Sequence, residues 1–249
     1  MKYFKHVSYI EPGKLLPAAD KAGTFEFFGN DSKEAFTENL KKKGSNWYYA
    51  NHKVQYTFNS NGYRAPEWND IDWKESVVIF GGSDVLGVAV DDTDTLSAKL
   101  SKLIDRPVIN LGVAGAGIIY AAQNAFLLHK QFPTPWAVVN IWSNPVRMHT
   151  YWKDAVQHFG SWSIEKGNFA DRWFNPFTNP ELHCYFAASM AKQLWVDKTR
   201  YYEATWWPET SYLLECKYFS KKDCDARDLA HYGIDSIQLA AEQITGNLK

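Results

Sequence analysis

Two short stretches, far apart in the chain, hold residues that can do nucleophilic chemistry. The first is IFGGSDVLG, Ile79 to Gly87, where Ser83 follows two glycines at the end of an apolar run. The second is DARDLAHYGIDS, Asp225 to Ser236, where Asp228 and His231 stand three apart. Side chains at i and i+3 of one turn share a face. The Asp228 carboxylate can therefore accept a hydrogen bond from one ring nitrogen of His231, leaving the other to take a proton. That is the orienter and base of a serine triad. Each stretch alone reads equally well as a turn: a serine after glycines lets a chain bend, and a DxxH pair makes a local hydrogen bond.

What decides is whether the elements between them bring the two together. Ser76–Phe80 (SVVIF) is a short β-branched run of the kind that forms a buried strand. Thr95–Ile104 carries Leu96, Leu100, Leu103 and Ile104 on one helical face and is ended by Pro107. Val108–Leu111 is a second strand. After the Gly112–Gly117 turn a helix runs to about His129, and Ala137–Trp142 (AVVNIW) is a third strand. Strand, helix, strand, helix, strand with short connections predicts a parallel sheet with right-handed crossovers. In such a sheet, function gathers beyond the carboxyl ends of the strands. Ser83, the Gly112–Gly117 turn and Asn144 all leave those ends. Further on, a helix is predicted from Pro180 to about Trp195 and a strand over Leu213–Cys216. A final helix starts near Ile234, with Ile237, Ala240, Ala241 and Ile244 on its buried face. Ahead of the sheet, Val54–Phe58 reads as a short strand and Lys41–Lys43 as a solvated helix end.

Other chemistries fit less well. Gly112–Gly117 reads GxxGxG where a dinucleotide site needs GxGxxG, and Gly87 is followed by Val88 where a P-loop needs lysine. The GxSxG elbow is missed because Val85 stands where its second glycine belongs. His129, His149, His158 and His183 show neither HExxH nor HxH spacing, so no metal is expected. Asp91, Asp92 and Asp94 fall where carboxylates cap helices. Trp47-Tyr48-Tyr49 and Trp206-Trp207 could border a groove, but packing is the simpler reading.

Taken together the blocks resemble the SGNH hydrolases, also called GDSL-like lipases and esterases. Gly81-Gly82-Ser83 resembles the first block, Gly115 in NLGVAG the second, WSNP with Asn144 the third, and Asp228 and His231 the last. Phe58–Trp68 (FNSNGYRAPEW) resembles a lead-in segment of some members. The resemblance covers roughly residues 55–245. It implies a three-layer α/β/α fold with a central parallel sheet of flavodoxin-like order. It also implies a Ser83–His231–Asp228 triad, and an oxyanion hole built from the Ser83 and Gly115 amides and the Asn144 side chain. The chain departs from the family at Gly82, where aspartate is usual, at Trp142 for the third-block glycine, and at Pro145 for its aspartate. Asn140 is a rival to Asn144, but lies inside the third strand.

The bulk numbers set the frame. The 249 residues suit one large domain with an extension, here residues 1–75 ahead of a domain over 76–249. A net charge of -1 without a basic run argues against nucleic acid. Cys184, Cys216 and Cys224 indicate reduced thiols, with neither a disulfide framework nor a zinc knuckle. The sequence reads as soluble and cytoplasmic, with no signal peptide and no membrane span. The reading is an esterase without a cofactor, acting on a small or carbohydrate-linked acetyl ester. An acyltransferase using the same triad and a catalytically inactive binding module are the alternatives.

Overall fold

The computed structural model describes residues 14–16, 18–152, 155–160, 179–220 and 224–248. The chain first forms β1 (Gly23–Phe25), paired antiparallel with β2 (Tyr56–Phe58). Between them lie α1 (Lys33–Lys43) and the single turn α2 (Tyr48–Asn51). Helix α1 is capped by the Ser32 side chain, which accepts the Ala35 N–H, and closes on its three lysines before Gly44. Cations there face the negative end of the helix dipole.

The central sheet is built from β3 (Val77–Gly81), β4 (Val108–Gly112), β5 (Ala137–Trp142), β8 (Arg200–Thr205) and β9 (Lys217–Tyr218). All neighbours run parallel, in the order β4-β3-β5-β8-β9. Numbered within the sheet this is 2-1-3-4-5, the flavodoxin-like order, whose switch point lies at the first strand. Every residue of β3 and β5 is buried, as expected of strands covered on both faces. Helices α4 (Leu96–Ile104) and α8 (Ile234–Leu248) cover one face, α5 (Ile118–Gln131) and α6 (Pro180–Trp195) the other. The fold is therefore the expected α/β/α, with one apolar cluster on each side of the sheet. Tyr49, Val54, Tyr56 and Phe58 enter the first cluster and Leu15, Leu16 and Tyr63 the second, so residues ahead of β3 help fill both.

The region after β5 departs from the expectation. Leu213–Cys216 is not a strand: α7 (Pro208–Leu214) takes its first half, and Glu215 at φ 51° turns the chain into β9. Pro208 at the first helical position favours that outcome, and a short apolar run does not distinguish the two states. Strand β8 was hidden in RYYEAT. A hairpin of β6 (Met148–Trp152) and β7 (Ala155–Phe159) follows β5 directly, and its cross-strand pairing sets His149 opposite His158.

Candidate active site

Ser83 opens α3 (Ser83–Leu86), a single turn directly beyond β3 and so at the switch point. The turn is tight because glycines permit it. A Cβ at Gly81 would stand 2.4 Å from Val85 Cγ2 and 2.8 Å from the Ile141 carbonyl oxygen. One at Gly112 would stand 2.3 Å from the Leu86 nitrogen. Buried Asn110 braces the turn from β4: its side-chain amide donates to the Val85 carbonyl at 2.8 Å, and its oxygen accepts the Gly112 N–H at 3.0 Å. As the first residue of its turn, Ser83 has a backbone N–H with no intrahelical acceptor.

Asp228 and His231 sit in the tight turn before α8, with Leu229 in the left-handed region at φ 56°. Asp228 Oδ1 accepts the backbone N–H of Ala230 at 3.0 Å and of His231 at 3.1 Å. Its Oδ2 accepts the His231 Nδ1–H at 2.6 Å. In the neutral imidazole that bond leaves Nε2 without a proton, the nitrogen a base needs. Burial works to lower the His231 pKa, but the hydrogen bond and charge of Asp228, helped by Asp84, outweigh it and the net shift is upward. Burial likewise works to raise Asp228, and the His231 bond and charge with two backbone N–H groups bring it below its ordinary value.

Asp84, directly after the serine, is close enough to His231 for each to act on the other's charge. Burial raises its pKa. This carboxylate and Arg147 were not among the sequence candidates. A Cβ at Gly82 would stand 3.1 Å from Arg147 Nη1 and 3.2 Å from the Ala116 carbonyl oxygen. The position where the resembling family carries aspartate is thus bordered by a guanidinium. Arg147 lies three residues beyond Asn144, and its guanidinium sits 5.6 Å over the Trp207 ring. No pattern in the sequence marked it, since its neighbours Gly82, Trp207 and Tyr232 lie far from it and from one another along the chain.

Asn144 stands half-buried at the end of β5. Its Oδ1 accepts the Val146 N–H at 2.9 Å, which leaves the side-chain NH2 as the donor to offer. Its rival Asn140 is fully buried within β5 and donates to the Tyr201 hydroxyl at 3.0 Å. The unusual Trp142 is buried in the core with its indole N–H donated to Glu203 of β8 at 3.2 Å. The carbonyl of Pro145 accepts from the Cys184 thiol. Gly115 has φ 76°, the left-handed region open to glycine, and a Cβ there would stand 3.1 Å from His158 Cβ.

The histidines that looked scattered in sequence are in part a cluster. The rings of His149 and His158 lie 6.2 Å apart, each edge-on to Tyr120 at 4.9 and 4.8 Å. Burial lowers both pKa values to about 4. Among the described residues no group of three or more His, Cys, Asp or Glu is placed to hold a metal ion. The three described acidic residues before α4 divide their tasks. Asp91 caps the turn at Thr93, Asp92 accepts from Arg64 at 2.6 Å, and Asp94 pairs with Lys99 at 2.6 Å. The cap of α4 itself is Thr95. Trp206 is buried and stacks on Tyr232, the residue after His231, at 5.0 Å. No helix among the described residues is long and apolar enough to cross a membrane.

No family model matches the chain, and no curated protein matches it by sequence. Solved structures it is similar to include SGNH and GDSL proteins. One is the SGNH-hydrolase family esterase AlinE4, at 14% identity over 71% of this chain and 75% of that one, with a TM-score of 0.34. Another is a putative lipolytic protein of the G-D-S-L family from Desulfitobacterium hafniense, at 12% identity over 70% and 99%, with a TM-score of 0.41. A third, a member of the lipolytic G-D-S-L family from Veillonella parvula, shows 14% identity over 69% and 70%, with a TM-score of 0.34. Likeness at this level says nothing about activity.

Proposed function

We propose that the chain is a serine esterase in which Ser83 is the nucleophile, His231 the base and Asp228 its orienter. The observation that carries this reading is the Asp228–His231 bond at 2.6 Å; Ser83, directly beyond the first strand of the sheet, is the nucleophile it would serve. His231 Nε2 takes the Ser83 hydroxyl proton as Oγ attacks the ester carbonyl. The C–O bond to the alcohol then breaks, and His231 returns the proton to the departing oxygen. Water repeats the cycle on the acyl-serine and releases the acid. The negative charge on the carbonyl oxygen meets the Ser83 and Gly115 amides and the Asn144 NH2. Loss of one such donor costs about 3–4 kcal/mol of transition-state stabilisation.

A small or carbohydrate-linked acetyl ester is the substrate we favour. The support is compositional: aromatic residues make up 16% of the chain, and rings that stack on sugar faces suit a glycan ester. The cavity of about 860 Å³ beside the Gly112–Ala114 turn, lined by Asp20, Lys21, Phe28, Asn61 and His158 among others, has no triad residue in its lining. The test is hydrolysis of p-nitrophenyl acetate and of an acetylated oligosaccharide. Ser83→Ala and His231→Ala should abolish turnover of both while remaining folded. Wild-type rates in either variant would remove the triad.

A further inference from the structure

Arg227 directly precedes Asp228 in the chain, and its guanidinium is buried among residues that precede β3. Nε donates to both Asp31 carboxylate oxygens, at 2.9 and 3.2 Å, and Nη2 to Oδ2 at 2.7 Å. Nη2 also reaches the Glu26 carbonyl. The rings of Phe27 and Phe36 lie 4.5 and 5.4 Å from the guanidinium. The Arg227 backbone is held as well: its carbonyl accepts from the Asn39 amide at 3.1 Å, and its N–H donates to the Ala89 carbonyl at 3.0 Å.

Ala89 closes a ring. Its own N–H donates to the Tyr56 hydroxyl at 2.7 Å, and that hydroxyl donates to Asp31 Oδ2 at 2.5 Å. Ala89, Tyr56, Asp31 and Arg227 thus form one buried circuit, and Ala89 is held at φ 66° within it. Ala89 lies three residues beyond α3, and Arg227 one residue before the triad carboxylate. Arg64 fixes the connecting segment by donating to the carbonyls of Leu86, Gly87 and Val90 at 3.2, 2.6 and 2.9 Å.

We infer that Arg227 is a positioning residue: through the ring with Asp31, Tyr56 and Ala89 it sets the Asp228–His231 turn against the segment that carries Ser83. The inference rests on the proposed triad, and it makes the region ahead of the sheet part of the catalytic machinery. A buried polar circuit closed by hydrogen bonds favours one arrangement, and catalytic geometry tolerates little displacement.

The test uses the full chain with Tyr56→Phe, which removes one hydroxyl and keeps the ring face, and Arg227→Lys, which keeps charge but not the planar fork. His231 is followed by NMR titration, its resonance identified by its loss in His231→Gln. The charges that act on its imidazole are Asp228 from its own turn, Asp84 from α3 and Arg147 from beyond β5. If the ring positions the turn, both variants loosen the Asp228–His231 bond. The His231 midpoint then falls by roughly half a pH unit or more. In parallel, kcat/KM on p-nitrophenyl acetate drops about tenfold or more, with its acid limb displaced to lower pH. A lowered Tm with the His231 midpoint unchanged in Tyr56→Phe means the ring only stabilises the fold, and overturns the inference. Should Arg227→Lys fail to fold, Tyr56→Phe decides alone. A midpoint that moves in a protein without esterase activity upholds the positioning and discards the triad reading.

Discussion

Asp228 gives its two carboxylate oxygens to different parts of the same residue: Oδ1 accepts the His231 backbone N–H at 3.1 Å and Oδ2 its imidazole Nδ1–H at 2.6 Å. Backbone and ring are thus fixed by one side chain. Because the His231 pKa is raised, the acid limb of kcat/KM should lie above the ordinary histidine value of about 6.5. Asp228→Asn should move that limb to lower pH and reduce kcat by about 10³–10⁴-fold.

The same pair makes a stability prediction. The raised His231 pKa contributes stability that is complete below about 6.5 and lost as pH rises through the folded value. The lowered Asp228 pKa contributes stability present above about 3.9 and lost as pH falls through its folded value. Thermal melts should therefore show the largest wild-type advantage over Asp228→Asn between about pH 4 and 6.5. An advantage that keeps growing above that window would contradict the assignment.

Asn144 separates a structural task from a chemical one. Its Oδ1 shapes the turn at Val146 and its NH2 is the proposed oxyanion donor. Asn144→Asp keeps the first and removes the second. We expect it to lower kcat by about 10²–10³-fold, as much as Asn144→Ala, while melting closer to the wild type. Equal activity in Asn144→Asp and the wild type would take Asn144 out of the oxyanion hole.

Gly115 carries both a left-handed backbone and the close approach of His158. Gly115→Ala should cost about 1–2 kcal/mol in left-handed strain alone, more as His158 yields, and should depress kcat together with Tm. An alanine variant with unchanged melting would show that the turn relaxes freely.

His149 and His158 are held neutral on the hairpin, with pKa values of about 4. The unfolded chain binds protons near 6.5, so stability should fall as pH drops from there toward 4. The full effect is about 3 kcal/mol per imidazole. His149→Phe should flatten the pH dependence of Tm over that interval, and an unchanged slope would place the acid sensitivity elsewhere.

The sheet could be read from sequence because its first three strands are β-branched runs bounded by glycine and proline, and Ala137–Trp142 was placed to the residue. The place of Ser83 just beyond a strand and the Asp228–His231 hydrogen bond could be read because the one follows a β-branched run and the other spans a short i, i+3 turn. Arg147, Asp84 and the Arg227–Asp31 pair were not, since their partners are distant in the chain and their roles depend on burial. Arg227 and Asp31 are separated by 196 positions. Strand β8 went unseen because Arg200 and Glu203 interrupt its apolar pattern; Glu203 faces Trp142, Tyr201 and Lys192. The hairpin's histidines show no ligand spacing along the chain, because cross-strand pairing is what joins them.

The account depends on Ser83 being an activated nucleophile, and covalent labelling reads that directly. The folded chain is treated with a fluorophosphonate at neutral pH and the adduct located by peptide mass spectrometry. One adduct on Ser83 is expected, absent in Ser83→Ala and slowed by orders of magnitude in His231→Gln. A wild-type protein that is folded and stays unlabelled at Ser83, or that labels as fast without His231, would contradict the account.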